Sequence, residues 1–249
     1  MCRHLAYVGP PAPLAGLLFD PPHSLARQSW APRDMRGGGT INADGFGVGW
    51  FPPGGVPVRY RRATPLWSDT DLPGIAASVR AGAALAAVRS ATAGMPVVET
   101  AAAPFTDGRV LFSHNGVVRD WPGSMAKLAA TLPATDLLTL DAPTDSAFLW
   151  ALTRDRLRRG AGPAEAVAGV VAGVVAEVEA AAPGSRLNLL LTDGAVIVAS
   201  TIGHALSVRR RDGHVLVSSE PLDDDPAWQP VPDRALLTAT PDVLEIGEA

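Results

Sequence analysis

Asn42-Ala43-Asp44-Gly45-Phe46-Gly47-Val48-Gly49-Trp50 is the stretch on which the choice of fold turns. Its alternate glycines invite comparison with a nucleotide-binding loop. The spacing, however, is Gly-x-Gly-x-Gly, and Phe51-Pro52-Pro53-Gly54-Gly55 stands where the helix of a dinucleotide fold would begin. Glycine at every second position of a strand lets another backbone come close, or marks a bulge beside a site. The segment therefore predicts a strand over 46–51 and removes the doubly wound nucleotide-binding reading.

Outward from it, strand signals dominate. Asp107-Gly108, Asp193-Gly194 and Asp212-Gly213 each sit beside β-rich apolar runs, the strongest short-range hairpin signal. They predict strands at 110–113, 187–191 with 196–200, and 206–209 with 215–218. Further strands are expected at 3–8, 58–62 and 85–89. Thr144-Asp145 can cap a helix running to about Arg159, and Pro163 suits the first turn of a second helix ending before Pro183-Gly184. Shorter helices are expected at 72–81 and 121–132, and a long Arg- and Pro-rich loop at 24–39. Many antiparallel strands with two consecutive central helices indicate an α+β class rather than alternating β-α-β units. With no internal repeat or linker, residues 1–249 read as one domain.

Composition narrows the function. The 249 residues are 47% hydrophobic and 18% charged, a globular balance. A net charge of −4 and a single lysine, Lys127, give no basic stripe for nucleic acid. The apolar run at 5–19 is broken by Pro10, Pro11 and Pro13, and the alanine-rich stretch at 164–182 by Gly169, Gly173, Glu177 and Glu179. Neither reads as a membrane span or a secretory signal, so a cytoplasmic location is expected. Cys2 is the only cysteine, which excludes an intrachain disulfide, and the five histidines show no zinc-ligand spacing. No metal or other cofactor is expected.

Five short motifs carry chemistry. Removal of Met1 would free the α-amine of Cys2, whose pKa near 7.7–8.0 allows it to accept a proton beside its own thiol. Alone, a cysteine at position 2 is more often incidental. Arg89-Ser90-Ala91-Thr92 offers a guanidinium and two hydroxyls to a carboxylate, or is a surface turn. In His114-Asn115-Gly116 the Asn115 amide and the Gly116 N–H could form an oxyanion hole, although an ordinary Asn-Gly turn is the commoner use. His114 is expected to be structural. Asp145, in Thr144-Asp145-Ser146, is a helix-start residue or a partner for a substrate ammonium. Asn42 and Asp44 open the glycine strand.

The order of these motifs along one chain is specific: Met-Cys-Arg, Asn-x-Asp-Gly-x-Gly-x-Gly-Trp, Arg-Ser-Ala-Thr, His-Asn-Gly, Thr-Asp-Ser. In this the chain resembles the class II glutamine amidotransferases, over all but the last thirty or so residues. Met-Cys-Arg-His-Leu and Asp-Pro-Pro-His-Ser-Leu (20–25), with the glycine strand, look like the branch that removes glutamate from γ-glutamyl-hercynylcysteine S-oxide in ergothioneine biosynthesis.

The resemblance implies the N-terminal nucleophile hydrolase fold, a four-layer αββα sandwich of two stacked antiparallel sheets between helix layers. It implies Cys2 as nucleophile, its freed amine as base, and Asn115 with Gly116 as oxyanion donors. It assigns the glutamyl α-carboxylate to Arg89 and Thr92, with Ser90 beside them, the α-ammonium to Asp145, and the loop around the nucleophile to Asn42 and Asp44. It further implies a small-molecule γ-glutamyl substrate without an obligatory synthase partner. The other readings are a glutaminase subunit feeding ammonia to a separate synthase and an inactive glutamyl-binding module. Two positions depart from the family pattern: Ala93 and Ala103 stand where many members carry histidine. For a betaine-like amine half, the 24–39 loop offers Arg27, Trp30, Arg33 and Arg36 after His23.

Overall fold

A computed structural model describes residues 2–34, 41–160, 164–211 and 213–249, without the side chains of 164–166. Its strands, in chain order, are β1 (Arg3–Pro13), β2 (Phe46–Trp50), β3 (Val58–Arg62), β4 (Arg80–Val88), β5 (Phe105–Thr106), β6 (Leu111–Val117), β7 (Arg186–Thr192), β8 (Ile197–Thr201), β9 (Ser207–Arg211), β10 (His214–Ser218), β11 (Gln229–Pro230), β12 (Ala235–Ala239) and β13 (Leu244–Glu248). They form two antiparallel sheets, ordered β11-β9-β10-β1-β4-β2-β3 and β13-β12-β8-β7-β6-β5.

Strand alternation builds the layers. In β1, Leu5 and Tyr7 face one way and Ala6 and Val8 the other; in β10, Leu216 opposes Val215 and Val217. The Ala6–Val8 side, with Leu85 and Val217, meets Leu111, Leu190, Ile197 and Ala199 of the second sheet, so this core lies between the sheets. The outer face of the first sheet packs on short helices at Ala15–Leu18, Leu25–Gln28 and Leu72–Ser78. The outer face of the second, through Phe112, Leu187, Leu189 and Leu191, packs on the long helices Asp145–Arg159 and Ala164–Ala181. The four-layer α+β sandwich is thus present as expected.

The Asp107-Gly108 and Asp193-Gly194 hairpins form. Asp212 of the third pair, and Pro163 of the second long helix, lie outside the described residues. The glycine strand packs as its spacing demands: a Cβ on Gly47 would stand 2.2 Å from the Ala103 carbonyl oxygen. Several boundaries differ from expectation: β1 runs on to Pro13, the loop expected at 24–39 holds a helical turn at Leu25–Gln28, and the helix expected at 121–132 is reduced to a turn at Gly123–Met125 and a short helix at Ala126–Ala129. Helix 72–81 ends at Ser78, because the weak strand formers at 81–84 are drawn into β4 by pairing of Ala83 with Val8 and Ala84 with Tyr7. The strand expected at 110–113 continues through Asn115-Gly116, which is ladder, not turn.

Candidate active site

Residues of four of the singled-out motifs, Cys2, Arg89, His114 and Ser146, line one small cavity. Cys2 immediately precedes β1, and the Arg3–Val88 register brings it opposite the end of β4. The half-buried thiol faces the Ser90 carbonyl, with Sγ 3.7 Å from the oxygen. The 89–91 segment is held by the residues before β2. The Asp44 N–H donates to the Arg89 carbonyl (3.0 Å), the Arg89 N–H to that of Gly45 (2.7 Å), and the Asp44 carboxylate accepts the Ala91 N–H (2.8 Å). Asn42 is buried and donates from its main chain to the Ser29 carbonyl (2.7 Å). Asp44 therefore shapes the loop beside Cys2, while Asn42 anchors the segment that carries Ser29.

Asn115 comes from the second sheet. It is 1% exposed, and its Nδ2 makes one long bond, 3.5 Å, to Ser219 Oγ. The second hydrogen of that amide has no acceptor among the described residues, and Oδ1 is buried without a partner. Gly116 is indispensable to the ladder, since a Cβ there would lie 1.8 Å from the Arg186 carbonyl oxygen. His114, expected to be structural, bridges the second sheet and the start of the first long helix and also lines the small cavity with Cys2. Its Nε2 donates to the same Arg186 carbonyl at 2.9 Å, and its Nδ1 lies 2.9 Å from Ser146 Oγ.

Thr144 Oγ1 accepts the Ala147 N–H and caps the first long helix. The next residue, Asp145, is buried, and its carboxylate accepts the N–H groups of Ser146 (2.7 Å) and Val118 (3.0 Å). A carboxylate with about four lone-pair sites keeps acceptor capacity beyond these two.

The expected carboxylate clamp is divided. Arg89 borders a small cavity with Cys2, Ser113, His114 and Ser146, and its Nη1 donates to the Pro96 carbonyl at 2.9 Å. Thr92 is exposed and borders a second cavity of about 600 Å³, with Val117, Val118, Trp121 and Arg186. Ser90 contributes its carbonyl to the thiol. Ala103 lines the small cavity.

Sequence reasoning missed Ser219 and Glu220. Ser219 exchanges main-chain and hydroxyl hydrogen bonds with His4 and contacts Asn115. Glu220 is buried and accepts from Arg3 Nε (2.9 Å), His23 Nε2 (2.6 Å) and the main-chain N–H groups of Arg33 (2.8 Å) and Asp34 (3.2 Å). Burial works to raise this carboxyl. The bonds from His23 and the Arg33 N–H, the Arg3 guanidinium and the Asp34 N–H outweigh it and hold the group below the usual carboxylate range. Arg3 in turn donates from Nη1 to the Cys2 carbonyl at 3.1 Å and from Nη2 to the Asp34 carbonyl. The only hint in the sequence was an acid two residues beyond the end of β10, after Ser218-Ser219.

The 24–34 segment is largely self-engaged. The Arg27 guanidinium stacks 3.9 Å over Trp30, Arg33 pairs with Asp224, and His23 belongs to Glu220. Arg36 lies outside the described residues. Among the described residues no cluster of three or more metal-binding side chains occurs, and no helix is long and apolar enough to cross a membrane.

Residues 13–225 match the family model for class-II glutamine amidotransferases. The chain is 42% identical over 237 residues to the γ-glutamyl-hercynylcysteine sulfoxide hydrolase of Mycolicibacterium smegmatis, covering 95% of each chain. Among solved structures, a glutamine aminotransferase class-II domain protein from Silicibacter pomeroyi superposes with a TM-score of 0.68 at 24% identity, over 99% of both chains. The glutamine phosphoribosylpyrophosphate amidotransferase of B. subtilis gives 0.67 at 14% identity, over 99% of this chain and 49% of that one. These two likenesses concern the fold.

Proposed function

Because the chain belongs to the class-II glutamine amidotransferases, we propose that it hydrolyses γ-glutamyl-hercynylcysteine S-oxide to glutamate and hercynylcysteine S-oxide, a step of ergothioneine biosynthesis. The observation that carries the reading is the 42% identity, over 95% of both chains, to a hydrolase named for that substrate. The same alignment supports action without a synthase partner. A half-buried thiol on a small cavity that His114 also lines, with the incompletely bonded Asn115 amide next along the same strand, supports acyl transfer at this corner.

With Met1 removed, the Cys2 α-amine takes the thiol proton and Sγ attacks the γ-carbonyl carbon. The Asn115 amide and the Gly116 N–H receive the oxyanion. The amine then returns the proton to the leaving nitrogen, and the C–N bond breaks to give a γ-glutamyl thioester. Water, deprotonated by the same amine, adds to the thioester; glutamate leaves and the thiol is restored. Arg89 and Thr92, with Ser90 near them, hold the glutamyl carboxylate, and Asp145 its ammonium, each with modest adjustment, since Arg89 and Thr92 now border different cavities. In the reducing cytoplasm, where we place the enzyme, Cys2 stays a thiol.

An intact mass shows first whether Met1 is absent. A panel comparing γ-glutamyl-hercynylcysteine S-oxide, γ-glutamyl dipeptides and glutamine then tests the reading. Glutamate release fastest from the sulfoxide, and abolished in Cys2→Ala, is expected. Preference for free glutamine would instead make the chain an ammonia-supplying glutaminase.

A further inference from the structure

The family reading accounts for the glutamyl half of the substrate and uses only Thr92 of the residues that line the larger cavity. That cavity, of about 600 Å³, falls within the usual range for small-molecule sites and exceeds what a glutamyl group needs. Its position is fixed by the ladder: Val117, directly after the Asn115-Gly116 pair, is opposite Arg186, and both line the cavity.

Arg186 is built as a receptor. Its stem packs where Gly203 has no side chain, since a Cβ on Gly203 would stand 2.9 Å from Arg186 Cγ. Nε donates to His204 Nε2 at 3.1 Å. His204 is buried, and burial first, then the Arg186 and Arg3 charges, lowers it to about 3, so it is a neutral acceptor. Asn188, two residues along β7, holds the same turn by donating to the His204 carbonyl (3.1 Å) and accepting its N–H (3.2 Å). With Nε committed, no described residue accepts from Nη1 or Nη2. A guanidinium fork fixed at one edge and open at the other matches a carboxylate.

We propose that Arg186 binds the carboxylate on the amine side of the scissile bond, so that the enzyme selects γ-glutamyl amides of α-amino acids over glutamine. In any such amide that carboxylate is two bonds from the scissile nitrogen, and so must lie close to the oxyanion donors. Of the two arginines on the cavity wall, Arg119 and Arg186, it is Arg186 that pairs with Val117 in the ladder and has its stem fixed by Gly203. Asp120, also on the cavity wall, adds a negative charge suited to an ammonium further out on the same leaving group.

The inference rests on the hydrolase reading, and its test does not depend on turnover. Binding of γ-glutamylalanine and γ-glutamylalaninamide, which differ only in the amine-side carboxylate, is measured by calorimetry on Cys2→Ala protein. A preference for the acid of about 10- to 100-fold is expected, the range of a charge-assisted bidentate pair. Arg186→Met, which keeps the stem on Gly203, should bring the ratio near one, and Arg186→Lys should retain part of it. No preference in Cys2→Ala protein, or a ratio unchanged by Arg186→Met, overturns the assignment. Absence of glutamate release from the sulfoxide substrate by Cys2 enzyme would instead sink the hydrolase reading, with the binding ratio still deciding the role of Arg186.

Discussion

Asn115 shows how much single residues disclose and how much they hide. An Asn-Gly pair after an apolar run reads more readily as a turn than as a donor pair. Only the pairing of Gly116 with Leu187, with the Arg186 carbonyl against the glycine, shows that the pair lies in a ladder. Asp44 was legible as a loop-shaping residue only through the family resemblance, not from its own local pattern. Glu220 was not, since its four donors are brought together from Arg3, His23, Arg33 and Asp34 by folding alone. The role proposed for Asn115 is the most exposed to test. Removing one oxyanion donor costs about 10²- to 10³-fold in rate, so Asn115→Ala should lose that much in kcat while its circular dichroism matches the parent. Turnover within a few-fold of the parent would remove Asn115 from the chemistry.

Among the elements, those with a local signal were placed well. β3 spans the residues expected, and the first long helix starts where Thr144 caps it. β12 and β13 were missed. β13 is an exposed edge strand, Leu-Glu-Ile-Gly-Glu, whose acids and glycine are poor strand formers that blunt an edge against aggregation. β12 alternates buried and half-buried residues but has no hairpin signal before it, so only pairing with β8 reveals it. The Thr144 cap links an element to the site, because the turn it closes also presents Asp145 to Val118 and Ser146 to His114. Thr144→Ala should cost about 1 kcal/mol, the usual value of a lost cap, and Thr144→Ser should restore most of it. Urea midpoints measure both. Equal midpoints for Ala and Thr would mean that the Val118 contact alone holds the helix start.

For the whole molecule, the α+β class was legible from hairpins followed by consecutive helices. The stacking of two sheets was not legible from periodicity, because both faces of β1, β7 and β10 are apolar and the alternation that marks a half-exposed strand is absent. That double burial has a consequence for acid stability. His4 on β1 and His204 beside β7 are buried among the layers, and burial, with repulsion from His114 for the first and Arg186 for the second, lowers both from 6.5 to about 3. As pH falls through 6.5 the unfolded chain takes up a proton at each histidine while the folded chain does not. Stability is therefore full above 6.5 and declines between 6.5 and about 3, by about 1.4 kcal/mol per pH unit for each histidine. Glu220, depressed from 4.5, adds stability above that value which is lost at still lower pH, as the medium passes its folded pKa. Urea unfolding at intervals from pH 8 to 5 should be flat at the alkaline end and then steepen towards a slope of about two protons. A curve flat down to pH 5 would mean that both imidazoles reach water in the folded protein, and that Arg186 is not held by a neutral His204.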